Sequence, residues 1–331
     1  MNFRTQVHIP PATVNISHAS KVMLFGSCFS DKIGEQLVDF LFQADVNPFG
    51  ILYNPLSIST AIKRLLHNQS VTENDLVFHN ELYHSLMHHG DFSHIDPCIC
   101  LEKISNRMTK STTQIKKTDF FLTTFGSAYV YKWKKTNEVA GNCHKIPADQ
   151  FIRFRLTVDE IVAEWSSLID DIRKINEKAT FVFSVSPIRH WKDGAHENQL
   201  SKSVLHLAID GLQSRFADVH YFPAYEILLD ELRDYRFYAE DMMHPSSVAI
   251  QYIWERFSET YFNQQTKEIN QNWLPILRAL QHKPIHPETA SHKAFLVETK
   301  KKMDTFFNKY KEITPSRSYH LAHFDQKRKA T

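Results

Sequence analysis

The sequence contains little glycine, which makes up 8 of its 331 residues, whereas an average protein has about 7%. Glycine adopts positive φ angles without strain, so each glycine beside a possible site is informative. A collagen-like or glycine-rich low-complexity chain is excluded. The composition is otherwise 42% hydrophobic and 23% charged, which is typical of a globular protein.

Long apolar segments are also missing. No stretch approaches the roughly 18 uninterrupted apolar residues that suggest a membrane helix, and the opening MNFRTQ lacks the apolar core of a secretory signal. Reduced thiols are then the default for the cysteines, and we expect a cytoplasmic protein without membrane association, metal or cofactor. The four cysteines are Cys28, Cys98, Cys100 and Cys143.

A large excess of charge of either sign is absent as well. The 39 basic and 37 acidic residues leave a formal charge of +2 with histidine neutral. This gives no electrostatic argument for binding nucleic acid or an anionic membrane. We therefore expect a small-molecule partner and no nucleic acid, and the sequence leaves the oligomeric state open.

Short apolar runs alternate with helical patterns over the first 260 residues. The run KVMLFG at 21–26 suits a buried strand, and apolar residues recur at helical spacing over 29–42. This alternation predicts an α/β fold, a three-layer α/β/α sandwich with a mostly parallel sheet. The further predicted strands are 119–126, 180–185 and 219–222, and the further helices are 158–176, 201–216 and one beginning near Pro245.

The composition changes near residue 260. Residues 264–331 are rich in Gln, Asn, Lys and His, without a strand pattern but with two helical candidates, Trp273–Leu280 and Phe295–Tyr310. We predict a domain over 1–260 and a helical C-terminal extension over 261–331, whose last residues, 326–331, fray. The extension is interpreted as a capping pair of helices, and an interaction surface is the alternative.

The first segment that suggests chemistry is Gly26-Ser27-Cys28-Phe29-Ser30, between the first strand and its helix. Ligands of open α/β sheets gather at the carboxyl ends of strands. A thiol at a helix N-terminus meets the positive end of the helix dipole, which favours the thiolate, and nearby N–H groups could hold an oxyanion. A buried cysteine that closes a turn is the alternative.

The second segment is Asp241-x-x-His244, followed by Pro245. A carboxylate beside an imidazole fixes its tautomer and stabilises the imidazolium, as in a hydrolase triad. Proline in the first helical turn would hold His244 just outside the helix. Because Asp-x-x-His is common, a surface aspartate with a helix-capping histidine is the alternative.

Together the two segments follow the chain order of the SGNH/GDSL hydrolases. Laid over the Gly-Asp-Ser-Leu motif of those enzymes, Cys28 takes the place of the nucleophilic serine. Residues 26–29 (GSCF) resemble the signature of the GSCFA-domain family, which is grouped with those hydrolases, and Ser30 replaces the alanine of that name. The resemblance runs from about residue 3 to residue 260, and its further matches are 47–55 (NPFGILYNP), 142–145 (NCHK), 186–190 (SPIRH), 201–203 (SKS) and 235–245 (YRFYAEDMMHP).

This resemblance implies an SGNH-like fold and acyl-transfer chemistry. Cys28 would be the nucleophile, with the neighbouring Ser27 as a rival, His244 the base and Asp241 the residue that orients it. The superfamily supplies an oxyanion donor from a Gly-x-Asn block, whereas the comparable strand here ends at Gly126 without an asparagine. The other candidates for the oxyanion or the substrate are Asn142 as a replacement donor, the Gly50 N–H, Asn47, Arg189 and His190.

We therefore expect a hydrolase that cleaves an ester, with an O-acyl group on a carbohydrate suggested by superfamily analogy. The alternative is a glycan- or metabolite-binding module that kept the cleft and lost the chemistry. The two differ in thiol reactivity, because a catalytic Cys28 should be alkylated well below about pH 8.5. A soft metal site is disfavoured, because no ligand pair has helical or knuckle spacing; its candidates are Cys28, Asn142, Cys143, His144 and His190.

Overall fold

The structure is a computed structural model that describes residues 4–313. Its strands are β1 Lys21–Gly26, β2 Gln43–Val46, β3 Leu76–His79, β4 Leu82–Ser85, β5 Phe120–Phe125, β6 Tyr129–Trp133, β7 Val139–Ala140, β8 Phe151–Arg155, β9 Thr180–Val185 and β10 Val219–Tyr221. Its helices are α1 Cys28–Asp39, α2 Pro55–Leu66, α3 Pro97–Ile115, α4 Val158–Ile175, α5 Gly194–Arg215, α6 Ala224–Glu226, α7 Ser247–Tyr261, α8 Gln264–Gln281 and α9 Ala290–Lys309. A π-helical segment, Ile227–Leu232, follows α6.

The central sheet has five strands in the order β10-β9-β5-β1-β2, and every neighbouring pair is parallel. The middle strand β5, with the sequence FFLTTF, is buried along its whole length, as expected of a parallel sheet covered on both faces. The edge strand β2 (QADV) was not predicted, because it is short and lacks a continuous apolar run.

Helices cover both faces of the sheet. Met23 and Phe25 of β1 belong to a buried cluster with α2, α3, α4 and α5. Val22 and Leu24 point to the opposite face and belong to a cluster with α1 and α7. Alternate residues of one strand thus supply two cores, and the predicted three-layer α/β/α sandwich is confirmed.

The C-terminal helices pack against the second of these cores. Trp273 of α8 is fully buried, and its Nε1 donates to the Asp39 carbonyl at the end of α1 at 2.8 Å. Its ring lies 5.0 Å from that of Phe306 in α9. The division at residue 260 stays a prediction, although it falls at the end of α7, and the predicted fraying of 326–331 lies outside the described residues.

Two small antiparallel sheets complete the fold, the hairpin β3-β4 and the three-stranded β7-β6-β8. Neither was predicted, because their strands are short and their burial does not alternate regularly. Within residues 4–313, no helix combines the length and apolar character needed to cross a membrane.

Candidate active site

A cavity of about 620 Å³ lies where β1, β5 and β9 end. This is the edge of a parallel sheet at which ligands usually bind. The cavity is walled by the loops that follow these three strands, by the loop before α7 and by the small sheet β7-β6-β8. Residues that represent these segments are Cys28, Ser127, Asn142, Arg189, His190 and His244.

Cys28 is the first residue of α1, and its side chain lines the cavity. Burial raises the pKa of its thiol, and the backbone N–H groups of Cys28 and Phe29 oppose that rise. The carboxylate of Asp31 raises the pKa further. The N–H groups at the helix end thus act in the direction that the sequence predicts, but desolvation outweighs them in the free protein.

Ser27, the rival nucleophile, faces away from the cavity. Its side chain is only 1% exposed, and its hydroxyl donates to the Ser186 hydroxyl at 3.1 Å. This bond links the residue after β1 to the residue after β9. Ser27 therefore holds two strand ends together, whereas Cys28 is open to a ligand.

His244 is paired with Asp241 as the sequence pattern predicts. His244 Nδ1 lies 2.5 Å from Asp241 Oδ2, while Asp241 Oδ1 accepts the N–H groups of Met243 and His244, both at 2.9 Å. These bonds, led by that from the His244 N–H, lower the pKa of Asp241 to about 2. An ionised carboxylate keeps the proton on Nδ1, so Nε2 is the nitrogen that can accept a proton.

The loop that carries His244 ends differently from the prediction. Helix α7 begins at Ser247 with Ser246 as its N-cap, so Pro245 precedes the cap instead of lying in the first turn. Pro245 forms a β-bridge with Tyr238, and the His244 carbonyl accepts the Ala239 N–H at 2.7 Å. These backbone contacts hold His244 outside the helix.

The fold brings Cys28 and His244 to one cavity although more than 200 residues separate them. Within residues 4–313, no hydrogen bond joins the two side chains. Asp241 stands behind the imidazole and does not line the cavity.

Gly50 and Asn47 are not placed as oxyanion donors. The Gly50 N–H already donates to the Asn47 carbonyl at 2.8 Å. The Asn47 side chain accepts the Gly26 N–H at 2.9 Å and donates to Asp31. The predicted role of these two residues as oxyanion donors is therefore wrong, because their polar groups hold the turn after β2 to the end of β1.

Gly126 does not supply a donor either. Its N–H donates to the Tyr53 carbonyl at 2.7 Å, and its carbonyl accepts the ammonium of Lys202 at 2.7 Å. Both backbone groups are therefore engaged. The sequence showed a glycine after a strand but not the partners of its peptide groups.

Asn142 keeps a free donor at the cavity. Its Oδ1 accepts the His144 N–H at 2.9 Å, and its Nδ2 has no hydrogen-bond partner in the described part of the chain. The N–H groups of Cys28 and Phe29, which start α1, are likewise without backbone acceptors there. These three groups are the candidate oxyanion donors.

Arg189 and His190 both line the cavity. Burial, supported by the charge of Lys202, lowers the pKa of His190 to about 4, so its ring is neutral at pH 7. It meets the Tyr53 ring edge-on at 5.5 Å. Arg189 lies 5.9 Å from the centre of the Trp191 ring and forms no ion pair within residues 4–313.

Lys202 was not predicted as a site residue. It is fully buried in α5, and its Nζ donates to the carbonyls of Gly126 and Ser186, both at 2.7 Å. Burial lowers its pKa to about 7, and its charge lowers the pKa of the Cys28 thiol. The sequence did contain a sign of its burial, because Lys202 lies on the inward face of the helix, three residues before the buried Leu205.

The candidates for a soft metal site share the cavity without assembling a site. Burial raises the pKa of the Cys143 thiol to about 11, and His144 Nε2 lies 2.9 Å from the Ser85 carbonyl. In the region that the structure covers, no three His, Cys, Asp or Glu side chains converge as metal ligands.

Fold and site together define a three-layer α/β/α protein with a cysteine and an Asp-paired histidine at the carboxyl edge of its sheet. The chain belongs to the GSCFA family, whose profile matches residues 21–257. The profile of the GSCFA domain protein C-terminal domain matches residues 273–326. A comparison with curated proteins finds no match.

Three solved structures show low similarity to the chain. A family 3 carbohydrate esterase of Clostridium thermocellum has 10% identity and a TM-score of 0.34, covering 80% of this chain and 99% of its own. The family 3 carbohydrate esterase of Talaromyces cellulolyticus has 10% identity, a TM-score of 0.33, and coverages of 76% and 99%. The acetyl xylan esterase Est2A of Butyrivibrio proteoclasticus has 10% identity, a TM-score of 0.31, and coverages of 74% and 64%. Similarity at this level carries no argument about activity.

Proposed function

We propose that this protein is a hydrolase that cleaves an ester with Cys28 as nucleophile and His244 as base. The supporting observation is that both side chains line one cavity while Asp241 holds the far nitrogen of the imidazole. A nucleophile, a base and a residue that orients the base are the minimum set for acyl transfer.

In this mechanism the Cys28 sulfur attacks the acyl carbon, and His244 Nε2 takes the thiol proton. Because burial raises the pKa of the thiol, proton transfer accompanies the attack instead of preceding it. The alcohol leaves with the proton from His244, and a thioester remains. A water molecule then attacks the thioester and gives a proton to His244. The acid leaves, and His244 returns that proton to the Cys28 sulfur, which restores the thiol.

The negative charge that develops on the acyl oxygen needs donors in place before the reaction. The N–H groups of Cys28 and Phe29 and the Nδ2 of Asn142 fill that role. Lys202 acts as a positioning residue, because it joins the ends of β5 and β9 below Cys28.

For the substrate we propose a small molecule or carbohydrate that carries an O-acyl group. The choice of a carbohydrate rests on superfamily analogy, and a cavity of about 620 Å³ is large enough for a ligand of this size. The lining also includes the aromatic rings of Tyr53 and Tyr131, as is common in pockets for organic ligands. A cytoplasmic location accords with four unpaired cysteines.

Turnover of p-nitrophenyl acetate tests the proposal. We expect His244→Ala to abolish it with little change in melting temperature, because the ring is partly exposed at a loop. His8→Ala is the matched control, because His8 is exposed and does not line this cavity. Full activity in His244→Ala would remove this residue from the mechanism.

The nucleophile is tested in the same assay. Cys28→Ala should lose turnover, whereas Cys98→Ala, which removes an exposed thiol of α3, should keep it. Equal activity of the two variants would exclude Cys28.

The second candidate is a binding module for a glycan or metabolite. It is favoured by the raised pKa of Cys28 and by the missing hydrogen bond to His244. Binding of a glycan by a wild-type protein that hydrolyses no ester would support it.

A further inference from the structure

A second cavity of about 250 Å³ adjoins the candidate active site, and Arg189 lines both. Its walls come from the loop after β9, the turn that follows the π-helical segment, and the loop that carries His244. A ligand with its acyl group at Cys28 can therefore extend past Arg189 into this side cavity. The lining residues that matter below are Arg189, Trp191, Arg233, Asp234, Tyr235 and Tyr238.

The side cavity has an excess of positive charge. Arg189 and Arg233 form no ion pair with any residue from 4 to 313. Among the described residues, Asp234 is the only carboxylate in the lining; it accepts the Arg236 N–H at 2.9 Å and lies 3.6 Å from the Arg236 guanidinium. Two guanidinium groups are thus left without an acidic partner in the described chain.

The main cavity continues the same pattern. Its lining contains Lys145 and Lys192, neither of which forms an ion pair within residues 4–313. Asp193, the one carboxylate that the described chain places in that lining, is paired with Arg153. Every carboxylate that lines either cavity in the described chain is therefore paired with an arginine, and an excess of unpaired cations favours the binding of anions.

Arg233 is placed at a conformational cost. Its φ of 43° is left-handed, a region that a long side chain seldom adopts and that glycine or asparagine would occupy more easily. A residue held in such a conformation at the wall of a cavity is a candidate for function.

Aromatic rings supply the remaining walls. Trp191 is 46% exposed and Tyr235 is 73% exposed, and the Tyr235 ring lies 5.9 Å from that of Tyr238. Open aromatic faces next to free guanidinium groups suit a ring compound that carries an anionic group.

We infer that the side cavity binds a carboxylate or phosphate group of an acidic saccharide, held by Arg189 and Arg233. This inference rests on the proposed function for the link to the scissile ester, but binding of the anion does not depend on it. Arginine recognises both anions through paired N–H donors.

The test is calorimetric titration of Cys28→Ala protein, which has no nucleophile, with digalacturonate, glucose 6-phosphate and neutral cellobiose. We expect at least one anion to bind tenfold or more tightly than cellobiose, with weaker binding as salt increases. Whichever of the two charged saccharides binds more tightly identifies the preferred anion as carboxylate or phosphate. Equal affinity for all three, or no anion binding, overturns the inference.

Variants made in the Cys28→Ala background localise the site. Arg233→Gln should weaken anion binding tenfold or more, and Arg233→Lys should weaken it less because the charge remains. Arg215→Gln is the control, because Arg215 is exposed at the end of α5 and lines neither cavity. An equal effect of Arg215→Gln and Arg233→Gln overturns the assignment, and melting temperatures show that the variants are folded.

The two proposals can fail separately. Anion binding together with inactive wild-type protein would remove the ester hydrolysis and keep the side cavity. Ester hydrolysis without a preference for anions would do the reverse.

Discussion

Lys202 is the residue on which several parts of the site depend. Its ammonium donates to both the Gly126 carbonyl and the Ser186 carbonyl. It also lies close enough to Cys28 for its charge to act on the thiol. One buried cation therefore sets both the geometry of two strand ends and the electrostatics of the proposed nucleophile.

Replacing Lys202 by Met should raise the pKa of the Cys28 thiol further, because a neighbouring positive charge is lost. It should also lower the free energy of unfolding by about 2–4 kcal/mol, since two buried carbonyls each lose a charged donor. The measurements are the pH profile of alkylation by iodoacetamide, in a Cys98→Ala background, and unfolding in urea.

Lys174→Met is the control for this change, because Lys174 is exposed and its ion pair, with Asp171, lies on the surface of α4. It should alter neither quantity. An unchanged alkylation profile in Lys202→Met would show that the charge does not reach the sulfur.

The roles of the site residues could be predicted only partly from the sequence. Asp-x-x-His predicts the pairing of Asp241 with His244, because both partners lie in one turn. The fates of Gly50 and Asn47 depend on hydrogen bonds to other segments, which no local pattern reports. Cys28 could be placed at a helix start, but its burial, which decides the thiol pKa, depends on the whole fold.

Elements with a long apolar pattern were predicted well. Helix α4 was expected at 158–176 and is found at Val158–Ile175, and β9 matches its predicted range. Helix α5 begins seven residues earlier than predicted, at Gly194, because its first turns are polar. Helices α2 and α3 were missed, although Asn54-Pro55 and Asp96-Pro97 are typical N-cap and first-turn pairs.

The turn after β2 requires glycine at residue 50. Its φ is 78°, and an added Cβ would lie 2.2 Å from the Cβ of His89. Gly50→Ala should therefore lower the free energy of unfolding by at least about 1–3 kcal/mol, since both strain and a clash must be relieved. The midpoint of urea unfolding measures this loss.

Gly90 provides the matched comparison, because an added Cβ there meets nothing within 4 Å and its φ is not positive. Gly90→Ala should be neutral or slightly stabilising. Equal destabilisation by the two substitutions would contradict the role given to the turn.

At the scale of the whole molecule, several histidines are held neutral by burial. The pKa of His88 is lowered to about 3, and its side chain is fully buried against the Phe49 ring. The same cause lowers the pKa of three further histidines to about 4, namely His144, His190 and His206.

These histidines should make the protein less stable in acid. Their pKa values are lower in the folded state than the ordinary 6.5, so the unfolded chain binds more protons below that pH. The stability they provide is complete above pH 6.5 and is lost as the pH falls toward about 4 and then 3. His88 alone should contribute about 1.4 kcal/mol per pH unit in this window.

Urea unfolding at pH 7, 6 and 5 measures the effect. His88→Gln should reduce the slope of stability against pH, whereas His8→Gln, at an exposed position, should not. A stability that stays constant from pH 7 to pH 5 would be inconsistent with the buried histidines being neutral.

The packing of Trp273 and Phe306 against α1 has a consequence for synthesis on the ribosome. The sheet strands and α7 leave the ribosome first, and their outer apolar face includes Phe40 and Phe42. That face stays uncovered until translation has passed α8 and α9, because these helices complete the same core. The nascent chain therefore exposes an apolar surface for the time needed to translate some 50 codons. During this interval cellular chaperones can bind a surface that is buried in the finished protein.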